Sequence, residues 1–153
     1  MPKLIKDGVL AEDALRPVNA DAIEPDHLLT LEQWLSLTDK SRSRVQLEPG
    51  DGVTSLLDAL AEIEVVAINF PAFTDGRGFS YARELRERGY TGELRAVGQC
   101  IPDQMSYLTR CGFNAFQPDS DAGLAQALEN LKDFSEHYQA AIDEPQPLFR
   151  RRS

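Results

Sequence analysis

Arg77 stands between Gly76 and Gly78, with Asp75 just before this group and Ser80 just after it. A guanidinium presents a planar fork of donors that matches a carboxylate, a phosphate or a sulfur oxyanion. Flanking glycines admit positive φ and let a ligand approach the backbone closely. Where such a loop opens a helix, the free N–H groups and the positive end of the dipole add to the preference for an anion. Ser80 can cap that helix or donate its hydroxyl. Asp75 reads both ways, because a carboxylate at a helix entrance can itself fill the anion position as a cap. The run "DGRGFS" is neither a Walker A loop nor GxGxxG, so it does not specify a nucleotide.

Other polar residues follow close behind. Arg95 sits inside "ELRAVG", where an interior strand position buries its charge unless a partner is present. Asp75 is a candidate partner across neighbouring strand ends; the alternative is an edge strand that turns Arg95 to solvent. Gln99, Asp103 and Gln104 lie in or just after the next loop, where Pro102-Asp103 suits a helix start. Cys100 is near the same helix entrance, where a thiol gains reactivity, but no resolving cysteine or histidine accompanies it. Cys111 fits an apolar helix face. Arg83, Arg86 and Arg88 alternate with Glu84 and Glu87 and read as a solvated, salt-bridged face, with Glu84–Arg88 at i,i+4. Tyr81, Tyr107, Phe113 and Phe116 read as core or interface aromatics. His27 and His137 read as surface residues, and no Ser/His/Asp triad can be assembled.

Elements must hold these groups in place. "KLIKDGVL" predicts a hairpin turning at Asp7-Gly8. Thr30 and Gln33 have capping-box spacing ahead of "LEQWLSL". "TDKSRSR" reads as a linker, after which the pattern becomes regular. Strands are expected at "RVQLEP", "VVAINF", "ELRAVG" and "AFQP". Helices are expected at "TSLLDALAEI", "GFSYARELRERG", "PDQMSYLTRCG" and "DAGLAQALENLKDFSEHYQAA". These are four strand–helix units, which imply an α/β fold with a parallel sheet of about four strands and flanking helices. Two architectures fit: an open doubly wound sheet, which is favoured, or half of a β/α barrel, which needs a partner copy and so a homodimer, or an appended strand. Ligands of open parallel sheets bind beyond the carboxyl ends of the strands. That rule singles out "EPGDG", "PAFTDGRG", "QCIPDQ" and "PDSD". The division expected is an appendage over 1–43, an α/β core over 44–141 and a flexible tail over 142–153.

The chain has 153 residues and a net charge of −9, the profile of one acidic globular domain. Such a charge repels nucleic acid and anionic membranes. No run approaches a membrane span, and the charged N-terminus lacks the core of a secretory signal, so a cytoplasmic protein is expected. The two cysteines are expected as thiols. No metal site is expected, and no iron–sulfur, haem or dinucleotide motif identifies a cofactor, which stays unknown.

The segments "FPAFTDGRGFSYARELRERGYTGELRAVG" and "PDQMSYLTRCGFNAF" resemble a bacterial family that accompanies the sulfite reductase of assimilatory sulfur metabolism. Its members are described as proteins of unknown function or as candidate oxidoreductases of sulfite reduction. The matching positions are Asp75, Gly76, Arg77, Gly78, Ser80, Leu85, Arg86, Gly92, Glu93, Arg95, Asp103, Gln104, Arg110 and Gly112. Two positions depart from the pattern: Gln99 and Asn114 stand where acidic residues are usual. The resemblance implies a link to sulfite reduction and cysteine biosynthesis; because the chain carries no cofactor motif, an accessory protein that assists electron delivery is expected, with sulfite reductase or its electron donor as partner. The residues themselves leave open a rival, an enzyme or sensor that binds an oxyanion or phosphometabolite through the DGRG loop. The role of Arg150–Arg152 is not specified.

Overall fold

The computed structural model describes residues 3–12, 15–24, 26–71, 77–99, 105–118, 124–126 and 129. Strands β1 (Lys3–Lys6) and β2 (Val9–Glu12) form the expected hairpin. Its turn has φ of 53° at Asp7 and 86° at Gly8, the paired positive φ of a tight hairpin turn. Strand β3 (Leu29–Thr30) leads directly into helix α1 (Leu31–Leu35) through a complete capping box. Thr30 Oγ1 accepts from Gln33 N–H at 3.1 Å, and Gln33 Oε1 accepts from Thr30 N–H at 3.0 Å.

The regular part then runs β4 (Ser43–Leu47), a 3-10 helix (Thr54–Glu62), β5 (Ile63–Phe70), α2 (Arg77–Glu87), β6 (Glu93–Gly98), α3 (Met105–Cys111) and β7 (Ala115–Pro118). Residues 54–62 depart from the expected α-helix. They wind as a 3-10 helix broken at Ala59, and Val53 at the N-cap makes no side-chain capping bond. α2 stops where expected, at Gly89 with φ 97°, and Gly112 follows α3 with φ 119°. The expected helix from Asp121 to Ala141 lies largely outside the described residues, although 124–126 are helical and Leu124 is buried.

One seven-stranded sheet results, in the order β2-β1-β7-β6-β5-β4-β3. It is larger than the four strands expected, because three strands come from residues before 44. β3 through β7 are parallel, and β1 joins β7 antiparallel. The favoured doubly wound order is not found. A doubly wound sheet reverses its direction of growth, whereas here each of β4 to β7 lies beside its predecessor in one progression. Right-handed crossovers then place every connecting helix on the same face.

The two cores bear this out. On the helical face, Val45, Leu47, Val66, Ile68, Phe70, Leu94, Ala96 and Phe116 meet Trp34, Leu56, Ala82, Leu85, Leu108 and Cys111. The expectation of Cys111 as core filler, and of Phe113 and Phe116 as core aromatics, holds. Trp34 Nε1 also donates to Ser43 Oγ at 2.9 Å, which locks the N-terminal segment to β4. On the opposite face a smaller cluster forms from Leu28, Val65 and Ala67, with Leu15, Val18 and Val97 against it. Leu15, Val18 and Leu28 therefore form a strap on the face that the helices leave open. The bridge between Arg16 and His27 closes this segment on itself, and the His27 ring lies 2.6 Å from the Pro17 carbonyl through Nδ1.

Candidate functional site at the carboxyl ends of the parallel strands

Strands β4 to β7 end at Leu47, Phe70, Gly98 and Pro118, and these ends form one rim. Arg77, Gly78, Ser80 and Gln99 all lie at it. Asp75, Gly76, Cys100, Asp103 and Gln104 lie outside the described residues. Arg77 is the first residue of α2 and is exposed. It reaches the loop after β4: its Nη1 lies 3.8 Å from where a Cβ on Gly50 would stand. The Gly50 N–H donates to the Tyr81 hydroxyl at 2.9 Å, so the β4 loop and α2 are tied together beside this guanidinium. Gln99 is exposed, and its N–H donates to the Phe70 carbonyl at 2.7 Å.

Gly78 has a packing reason of its own. A Cβ there would come within 2.6 Å of the Phe70 ring and 3.0 Å of Ile68. The Phe70 ring in turn packs against Phe79 and Phe113, with centroids at 5.3 and 6.0 Å. The glycine lets α2 settle onto the end of β5 and so fixes where Arg77 emerges.

Arg95 belongs elsewhere. Of the two alternatives the edge strand fails, since β6 lies between β5 and β7 and Arg95 is 1% exposed. Its side chain points to the face away from the helices, where Nε donates to Glu93 at 2.7 Å and Nη1 to Gln117 Oε1 at 3.1 Å. Glu93 also holds Lys6 at 3.0 Å. That carboxylate raises the Lys6 ammonium pKa above its ordinary value, first by the hydrogen bond and then by its charge. Arg95 and Lys6 line a cleft of about 530 Å³ at the amino ends of the strands, with Arg44, Glu64 and Asn114. The sheet thus carries Arg77 at its carboxyl rim and Arg95 in a buried ion cluster on its open face.

Arg86 is another correction. It is not part of a solvated face, because Nε donates to the Gly112 carbonyl and Nη1 to the carbonyls of Tyr90 and Gly92, each at 2.9 Å. It clamps the two turns that return the chain to β6 and β7. The expected Arg88–Glu84 pair is present at 3.9 Å. Asn114, where an acid is usual in the resemblance, accepts from Leu94 N–H through Oδ1 at 2.9 Å. A carboxylate would accept the same bond, so this departure preserves the structural link.

A group that sequence reasoning missed occupies the open face at the carboxyl rim. Gln46, Asn69 and Gln117 line a cleft of about 300 Å³ with Pro17, Leu28 and Val97. Glu48 accepts from Asn69 Nδ2 at 2.8 Å and from Gln46 Nε2 at 2.7 Å. The signal was present: Gln46 on β4 and Glu48 just past its end are two apart, and Asn69 interrupts the apolar run of β5.

The class is therefore an α/β protein with a sequentially ordered parallel sheet, helices on one face and a strap across the other. The chain belongs to the family described as "Bacterial protein of unknown function (DUF934)", whose model matches residues 44–149. No curated protein and no solved structure matches it. Among the described residues, no helix is long and apolar enough to cross a membrane.

Proposed function

We propose that this chain is an accessory protein of assimilatory sulfite reduction, which supports electron delivery by docking onto sulfite reductase or its electron donor. The link to sulfite reduction comes from the resemblance carried by "DGRGFS" and "RCGF". The structural observation that supports docking is β2. Among the described residues it is one of the two edge strands of the sheet, opposite β3, and Val9 and Leu10 on it are 63% and 51% exposed. An outer strand with apolar side chains and unpaired backbone groups is a template on which a partner's strand can add. A strain lacking the protein should grow normally on cysteine and poorly on sulfite as sole sulfur source. Normal growth on sulfite would contradict the proposal.

A second reading has an observation of its own. Arg77 and Gly50 of the β4 loop meet at the rim where a helix begins, an arrangement suited to an oxyanion or phosphometabolite. In that reading the chain is an oxyanion-binding enzyme or sensor. Sulfite or phosphate then raises the melting temperature of the wild type, and Arg77→Ala removes that rise.

A further inference from the structure

The cleft behind β4 to β7 has a chemistry that the charges around it define. Across the sheet, Asn69 pairs with Val97 and Val97 with Gln117. These three form one row on the open face, so Asn69 and Gln117 stand roughly 10 Å apart at the backbone with an apolar residue between them. Pro17 and Leu28, from the strap, and Pro118, at the end of β7, complete the apolar lining. The space suits a flat ring resting on Val97, with one polar edge toward Asn69 and the other toward Gln117.

The orientation of each amide follows from its partner. Glu48 as a carboxylate only accepts, so Gln46 and Asn69 must both turn their NH2 groups to it. Their carbonyl oxygens are thereby left as acceptors. Arg95 only donates, so Gln117 must give it the carbonyl oxygen. Its NH2 group is left as a donor. The lining side chains carry no formal charge, because Glu48 and Arg95 stand behind the amides.

We propose that this cleft binds a small, uncharged, planar heterocycle with an amide or imide edge, of the nucleobase class. Gln46 and Asn69 accept from its N–H groups, and Gln117 donates to its carbonyl. The volume of about 300 Å³ is at the small end of small-molecule sites and matches a ligand of one or two rings. This proposal is independent of the anion reading, which concerns Arg77.

The test is saturation-transfer NMR and titration of the full chain with uracil, and with 1,3-dimethyluracil, which keeps the ring but has no N–H donor. Uracil should bind saturably, and the dimethyl compound at least about tenfold more weakly. Gln117→Glu keeps an acceptor for Arg95 but removes the donor, and should weaken uracil at least about tenfold. Val97→Phe, which fills the floor of the cleft, should abolish binding; thermal unfolding checks that both variants fold. Absence of saturable uracil binding up to about 10 mM would overturn the proposal. So would equal affinity for the two ligands, or unchanged uracil affinity in whichever variant folds.

Discussion

Glu93 and Arg95 lie two apart on β6, side by side on its open face, with the carboxylate 2.7 Å from the guanidinium Nε. Both are buried, at 7% and 1% exposure. The same carboxylate holds Lys6 on β1, across the intervening strand β7. One acidic side chain thus joins the appended hairpin to the parallel sheet.

Removing that carboxylate leaves a buried guanidinium short of its counter-charge, which costs several kcal/mol when the partner is lost outright. Glu93→Ala should lower stability by about 3 kcal/mol in urea unfolding. Glu93→Gln, which still accepts a bond, should cost less. Equal stability of Glu93→Ala and the wild type would show that the cluster does not hold the hairpin.

Gly78 and Gly112 should resist substitution for different reasons. At Gly78 a methyl meets the Phe70 ring, and overpacking of this kind costs about 1–3 kcal/mol. At Gly112 the backbone has φ 119° and a Cβ would stand 2.5 Å from Arg86 Cγ. Alanine there adds backbone strain to the clash, and the Arg86 clamp must give way. Chemical denaturation of Gly78→Ala and Gly112→Ala should show both losses, with the larger at Gly112.

Tyr90 should govern the alkaline side of the stability profile. Its phenol is buried and donates to the Glu93 carbonyl at 3.0 Å, and burial pushes its pKa above the ordinary value. A group whose folded pKa is raised contributes stability that is complete below the unfolded pKa, here about 10, and is lost as pH climbs toward the folded value. Lys6, also raised, acts in the same direction. The melting temperature should therefore fall from about pH 10 upward. Tyr90→Phe should flatten that fall while lowering stability near neutrality through the lost hydrogen bond. An unchanged alkaline profile in Tyr90→Phe would contradict this assignment.

The hairpin at Asp7-Gly8, the Thr30 capping box and strands β4 to β7 were legible in the sequence because each depends on local chemistry. Turn residues with positive φ, a reciprocal cap and period-two apolar runs announce themselves within a few positions. The strand order was not legible. It depends on which neighbours pair, and residues before 44 supply strands to both sides of the parallel core. Arg86 alternates with acids along the helix, which is the local pattern of a solvated face. Its three carbonyl partners come from turns that only the tertiary fold brings near. An arginine inside a strand needs a partner, and Arg95 finds one in Glu93, two positions earlier on its own strand. Of the candidate rim residues, Arg77 and Gly78 acquire a shared logic in the structure, since packing at one places the other. The amide row escaped notice because its members come from three strands, none of which carries a motif.

Substitution of exposed apolar residues on β2 should separate docking from folding. Val9 and Leu10 are each more than half exposed, so Val9→Lys with Leu10→Lys should change stability by no more than about 1 kcal/mol. A lysine pair on an outer strand disfavours strand addition by a partner. A large drop in melting temperature would mean instead that this strand is packed within the protein.

The most direct test of the docking account is co-purification of tagged protein with sulfite reductase and its electron donor while electrons are being transferred. The account predicts that the wild type retains one of them and that the Val9→Lys, Leu10→Lys variant, folded, does not. Failure of the wild type to retain either, or equal retention by the variant, would contradict it.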